Sequence, residues 1–122
     1  MCKMLLSINP EHVDNIIQGT KKYEFRKSRC KENVDTIVIY ATSPMKCVVG
    51  EVEVKEVLEK SILDMWNETK ELAGVSYSFF RSYYKGKRTA IAYLLGDIVL
   101  YDEPRTLADF GLRCAPQSFA YV

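Results

Sequence analysis

The chain has 122 residues, 48% of them hydrophobic and 27% charged, with a formal net charge of +1. That length supports one core, which buries roughly two-thirds of the surface the unfolded chain exposes, and it predicts a single domain over residues 1–122 with no separate catalytic domain. No apolar run approaches the ~20 residues of a membrane span, and the opening apolar stretch is cut short by Asn9-Pro10, so neither a spanning helix nor a secretory leader is predicted. Cys2, Cys30, Cys47 and Cys114 are scattered without a Cys-x-x-Cys pair. They read as free thiols of a reducing, cytoplasmic compartment, and no metal site or cofactor is expected.

The small net charge conceals a segregation. Lys21, Lys22, Arg26, Lys27, Arg29 and Lys31 crowd one stretch against Glu24 alone, and Arg81, Lys85, Lys87 and Arg88 form a second basic stretch without an acid. If the two meet in space, they make a positive patch suited to phosphate-bearing partners. The intervening 51–71 segment is rich in acids; an acidic protein-interaction face there has no support beyond its charge.

In chain order, residues 4–8 predict a short strand. Asn9 as N-cap, Pro10 at the first helical position, Val13 and Ile16 at helical spacing and Gly19 as the stop predict a helix. A strand follows, with Tyr23 and Phe25 on one face and Lys22, Glu24 and Arg26 on the other. The β-branched run 34–41 predicts a central strand ending at the turn Thr42-Ser43-Pro44, and 48–54 alternates as another strand. Ser61 with Asp64 makes a capping box for a helix reaching about Leu72 and closed by Gly74. A second helix from about Ser76 carries Phe79, Phe80, Tyr83 and Tyr84. Strands over 89–95 and 98–101 are predicted to form a hairpin at Gly96-Asp97. A helical turn at 107–110 and a last strand at 118–122 complete the chain. About seven short strands without regular β-α-β alternation predict an α+β fold: a mixed or antiparallel sheet curled into a small barrel with flanking helices.

His12 lies in the first turn of a predicted surface helix, where capping or solvation is its expected role. The two phenylalanines of the 76–86 helix read as core, while one of its tyrosines, beside Lys85 and Lys87, is placed to face a ligand. No phosphate-binding glycine loop is present.

The stretch from Gly19 to Arg26 stands apart. Glu24 and Arg26 are neighbours on one strand face, and a bend after Gly19 could swing the Lys21 ammonium over the same face. A carboxylate flanked by two cations offers a fork for phosphate or a base edge and an acceptor for an amine or a hydroxyl. A surface salt-bridge network is the competing reading, and spacing alone leaves the two open.

The pattern Gly19-x-Lys21-x-x-Glu24-x-Arg26 resembles the signature of the ASCH family (activating signal cointegrator homology). Ser7-Ile8-Asn9-Pro10, Ile39-Tyr40-Ala41-Thr42-Ser43-Pro44, Val49-Gly50-Glu51 and Pro116-Gln117-Ser118-Phe119 extend the resemblance to the stand-alone prokaryotic members. The resemblance implies a PUA-like barrel and an RNA-associated cleft lined by Lys21, Glu24 and Arg26, with Thr42, Ser43, Gln117 and Ser118 as polar neighbours. It implies an RNA- or nucleotide-binding module, of the kind described as a regulator of transcription or RNA metabolism. The alternative it implies is an enzyme using Lys21 and Glu24, either an amidohydrolase acting on N4-acetylcytidine or a metal-independent ribonuclease. The amidohydrolase branch carries a threonine where this chain has Glu24.

Overall fold

The computed structural model describes residues 2–31, 33–117 and 119–122. Nine principal elements follow in order: β1 (Lys3–Ile8), α1 (Pro10–Gln18), β2 (Tyr23–Arg26), β3 (Thr36–Ala41), β4 (Cys47–Ser61), α2 (Ile62–Thr69), α3 (Tyr77–Tyr83), β5 (Thr89–Arg105) and β6 (Phe119–Tyr121). The six strands form one sheet in the order β2-β5-β4-β3-β1-β6. β1 and β3 run parallel, and every other neighbouring pair is antiparallel. The mixed sheet curls into a half-barrel. No helix among the described residues is long and apolar enough to cross a membrane.

The caps behave as the sequence predicts. The Asn9 side chain accepts from the Glu11 amide, Pro10 opens α1, and Gly19 closes it at φ 84°. Ser61 accepts from the Asp64 amide at the start of α2; Ser76, read only as the approximate start of its helix, accepts from the Phe79 amide and caps α3.

The central strands read as nearly continuous apolar runs because both of their faces are covered. Met4, Leu6 and Ile8 of β1 join Ile37 and Ile39 of β3 in the main core, beneath Val13 and Ile16 of α1. The alternate residues Leu5, Val38, Tyr40 and Val48 point to the opposite face, under Leu107, Phe110 and Leu112. The two-residue period of the strand makes this division. A third cluster, Phe25, Met65, Phe80, Tyr84, Ala90 and Ala92, seats α2 and α3 against β5.

Two predicted features are corrected. Gly96-Asp97 does not turn a hairpin, and β5 continues through it as one 17-residue strand. The register against β4 slips there, between Val52 opposite Ile98 and Val54 opposite Leu95. A Cβ on Gly96 would strike the Glu53 carboxylate. The glycine thus marks a bulge and a close approach of side chain to backbone, which sequence alone cannot tell from a turn. β4 likewise extends past 54 to Ser61 because its long antiparallel partner supplies the hydrogen bonds, and a second slip at Val54–Glu56 adds curvature.

Phe80 is 1% exposed and its neighbour Phe79 is 49% exposed. Phe80→Ala is therefore expected to cost about 3–5 kcal/mol of stability and Phe79→Ala well under half of that. Urea unfolding of the two variants checks this, and equal losses would contradict the placement of α3.

Candidate functional site

Among the described residues β6 pairs with β1 along Met4, Leu5 and Leu6, and Ser7 and Ile8 form the far end of β1. β2, at the opposite edge of the curled sheet, closes on that end. The Arg26 Nη2 donates to the Ser7 carbonyl at 3.0 Å and so bridges the seam. A cavity of about 160 Å³ lies there, walled by β1, α1, β2 and α3 and by the segment just before α3.

Lys21, Glu24 and Arg26 all line this cavity. The predicted bend after Gly19 has taken place: the Thr20 and Lys21 amides both donate to the Asn15 carbonyl, and the Lys22 amide turns to the Leu72 carbonyl. The Lys21 side chain is then 2% exposed. Its ammonium donates to the Ala73 carbonyl at 2.9 Å and stands 4.9 Å from the centre of the Phe25 ring. Gly74 makes this possible, since a Cβ there would lie 2.5 Å from the Lys21 Cβ.

Glu24, at 6% exposure, accepts on Oε2 from the Arg26 Nε at 3.1 Å, and the Arg26 Nη2 stands 2.9 Å from the same oxygen in the ion pair. Among the described residues nothing donates to its other oxygen, Oε1, and the Arg26 Nη1 has no acceptor. The charged face of β2 is thus turned inward, and it presents an acceptor beside two kinds of donor. That arrangement matches the edge of a nucleobase or a hydroxyl-bearing sugar.

The apolar wall comes from α3. Phe79 and Tyr83, four residues apart, face the cavity with their rings nearly parallel at 5° and 6.4 Å between centroids. Phe80 and Tyr84 turn into the core. The core assignment predicted for both phenylalanines therefore holds for Phe80 and fails for Phe79, because successive helical residues point 100° apart. Trp66 packs behind, against Phe80 and Tyr77.

His12 is also corrected. It lines the cavity and meets Phe79 edge-on at 5.6 Å, and its Nδ1 is buried without a hydrogen-bond partner. Burial first, and then the nearby Lys21 ammonium, lower its pKa from 6.5, so the imidazole is neutral at pH 7. The signal was the i, i+3 spacing of Asn9 and His12, which puts both on the same helix face at the cavity. Ser7 and Ile8, part of the Ser7-Ile8-Asn9-Pro10 stretch, and Val75, which carried no sequence mark, complete the wall.

Thr42 and Ser43 lie in the turn after β3, and Gln117 lies in the segment before β6, all outside the cavity wall. They flank it indirectly: the Thr42 amide donates to the Ile8 carbonyl, and the Ser7 hydroxyl donates to the Pro116 carbonyl. Ser118 is outside the described residues. Among the described residues no group of His, Cys, Asp and Glu is disposed to hold a metal ion.

Burial lowers the Lys21 pKa from its ordinary 10.5, against the pull of Glu24 and with the push of Arg26. Between the folded value and 10.5 the unfolded chain binds more protons than the folded one, so the stability transmitted through Lys21 rises with pH across that interval. The tyrosines whose phenols are pushed up by burial, Tyr83, Tyr84, Tyr93 and Tyr101, act oppositely above pH 10 and cancel in a comparison of variants. The stability of Lys21→Met relative to the native chain is accordingly expected to fall as pH rises from 7 to 10.5. Urea unfolding along that range measures it; a constant difference would mean an ammonium of ordinary basicity.

Residues 6–101 match the family model of the ASCH domain. The crystal structure of ASCH from Zymomonas mobilis superposes with a TM-score of 0.89 at 27% identity, over 98% of this chain and 87% of that one. A Zymomonas mobilis protein named ASCH domain-containing ribonuclease is 31% identical over 94 residues, which are 76% of this chain and 64% of the relative. Two Ureaplasma parvum proteins, named ATP synthase subunit alpha and large ribosomal subunit protein uL22, are each 26% identical over 120 residues. Those matches cover 98% of this chain but only 15% and 39% of the longer proteins, so the chain spans less than two-thirds of each of these three relatives. The curled mixed sheet is the PUA-like architecture of the ASCH structures, and the chain belongs to the ASCH domain family.

Proposed function

We propose that the chain is an RNA-binding module whose cavity receives one base or nucleoside unit of a strand. The observation that carries this reading is the convergence of the Lys21 ammonium, Glu24 carboxylate and Arg26 guanidinium on one hollow beside the Phe79 and Tyr83 rings. The size agrees: about 160 Å³ is close to the ~150 Å³ cavity known to hold one benzene ring, and well below the ~300 Å³ at which pockets for drug-sized ligands begin. Aromatic walls suit the face of a base, and the open Glu24 oxygen and Arg26 nitrogen suit its edge. Thr42, Ser43 and Gln117 stand beside the Ser7–Ile8 rim, where the sugar and phosphate of the strand would pass. The ribonuclease name of a 31% identical relative favours RNA over a free nucleotide. A role in RNA metabolism or transcription follows from whichever RNA is held.

The expected outcome is that Arg26→Ala weakens binding of a labelled single-stranded RNA pool about 10- to 100-fold, the scale of one charge-assisted hydrogen bond. Lys21→Ala weakens it as well, and both losses shrink as salt rises. Fluorescence anisotropy over a salt series, with circular dichroism to verify folding, provides the measurement. Native protein that binds no RNA at any salt concentration would overturn the reading.

A catalytic reading rests on the buried Lys21. An amine held below its ordinary basicity next to a neutral His12 is equipped to take a proton from a hydroxyl or water. A metal-independent ribonuclease would use that proton transfer on the ribose; an amidohydrolase would use it against the acyl group of N4-acetylcytidine. Incubation with labelled RNA and with N4-acetylcytidine separates the two. Turnover of either is expected to disappear in Lys21→Ala, and turnover that survives would remove Lys21 from the chemistry.

A further inference from the structure

α3 divides two surfaces. Phe79 and Tyr83 face the cavity on one side, while Tyr77 and Arg81, at i and i+4, follow another stripe of the helix, and Lys85 lies just past its C-terminal end. With Ile62, Leu63 and Lys87 this second stripe lines a groove of about 440 Å³. Its charged lining residues are Arg81, Lys85 and Lys87, with no acid. Among the described residues, neither these three nor Lys27 enters an ion pair, so their charge is not neutralised within the chain. The Arg81 guanidinium is held 5.8 Å from the centre of the half-exposed Tyr77 ring, and its Nη1 donates to the Tyr77 phenol at 3.2 Å. The groove therefore combines uncompensated cations with an ordered aromatic–guanidinium pair, the two components of a single-strand binding surface.

Groove and cavity share no lining residue and lie on either side of the adjoining Tyr83 and Tyr84 rings. Tyr84 lines the groove, and its hydroxyl donates at 2.9 Å to the carbonyl of Arg26, which lines the cavity. The neighbouring Tyr83 ring, 4.8 Å away and edge-on, belongs to the cavity wall. Lys27 stands over that ring with its ammonium 4.8 Å from the centroid. The two basic stretches of the sequence thus meet at the C-terminal end of α3. The opposite mouth has the reverse character: Glu11 and Glu71 are the only charged residues lining the hollow that shares Asn9, His12, Val75 and Phe79 with the cavity. A polyanion leaving the cavity meets like charge on that side and unlike charge on the Lys27 side.

We propose that the Arg81–Lys87 groove is a second subsite for the same RNA strand, which leaves the cavity past Lys27 and rounds the end of α3. Phosphates rest on Arg81, Lys85 and Lys87, and a neighbouring base lies against the Tyr77–Arg81 pair. The inference rests on the RNA reading of the cavity and assigns the strand a direction across the surface.

The test compares the native chain, Arg26→Ala and the double variant Lys85→Gln with Lys87→Gln. The probes are a labelled mixed-sequence hexaribonucleotide pool and a mixture of mononucleotides. Both lysines are exposed, so the double variant is expected to fold normally. It should weaken the hexamer at least tenfold at 0.1 M salt and lower the slope of log K against log salt by about 1.4, the loss of two single-strand phosphate contacts. Its mononucleotide binding should equal that of the native chain. Unchanged hexamer affinity and slope, with Arg26→Ala still weakened, would overturn the groove and leave the cavity reading intact. A weakened double variant beside an undiminished Arg26→Ala would overturn the cavity reading and the shared path with it. Failure of the native chain to bind either probe would overturn both, and loss of mononucleotide binding in the double variant would show that the groove is not a separate subsite.

Discussion

The ammonium of Lys21 is withdrawn from water almost completely, and the site is built around that constraint. A buried charge without partners costs several kcal/mol, and a fold tolerates one only where polar groups converge on it. Here the Ala73 carbonyl accepts from it, the Phe25 ring lies beneath it and the Glu24 carboxylate attracts it. Glu24 and Phe25 belong to β2, and Ala73 belongs to the segment before α3. Satisfying the ammonium therefore fixes the segment before α3 against β2, and it places α3, with its aromatic wall, opposite the charged strand face. Gly74 has to be a glycine because the lysine stem runs across its α-carbon at φ +69°.

Arg26 performs the complementary task of closure. Among the described residues no backbone hydrogen bond joins the β2 edge to β1. One guanidinium spans the gap, gripping Glu24 on its own strand and the Ser7 carbonyl on β1. The seam is thereby held at a fixed width without being zipped shut, and a hollow remains instead of a completed barrel. A side-chain bridge of this kind leaves one nitrogen and one carboxylate oxygen turned toward the hollow, so the closure and the chemistry of the cavity come from the same pair of residues.

The electrostatic asymmetry of the surroundings follows from where the helices end. Basic residues after β2 and after α3 gather on one side, and acids from α1 and from the turn after α2 gather on the other. A molecule of nearly zero net charge can in this way carry a strong local field along one direction only. Net charge understated the surface because the opposing charges are separated in space.

Much was legible from the letters, and the limits have physical causes. The caps at Asn9 and Ser61, the stop at Gly19 and the apolar central strands rest on interactions within a few residues, so the sequence determined them and the structure bears them out. Gly96 was misread because a glycine between two apolar runs marks a turn or a close approach equally well, and only the Glu53 side chain across the sheet separates them. His12 and Phe79 were misjudged because their exposure depends on α1 and α3 approaching each other from distant parts of the chain. By itself the sequence determined which side chains carry charge, which segments twist into strands or wind into helices, and the family to which they correspond. Only the tertiary structure decided that an ammonium, a carboxylate and a guanidinium share one hollow, since the curl that brings β2 to the Ser7 end of β1 arises from bulges, a missing Cβ and contacts far apart in sequence.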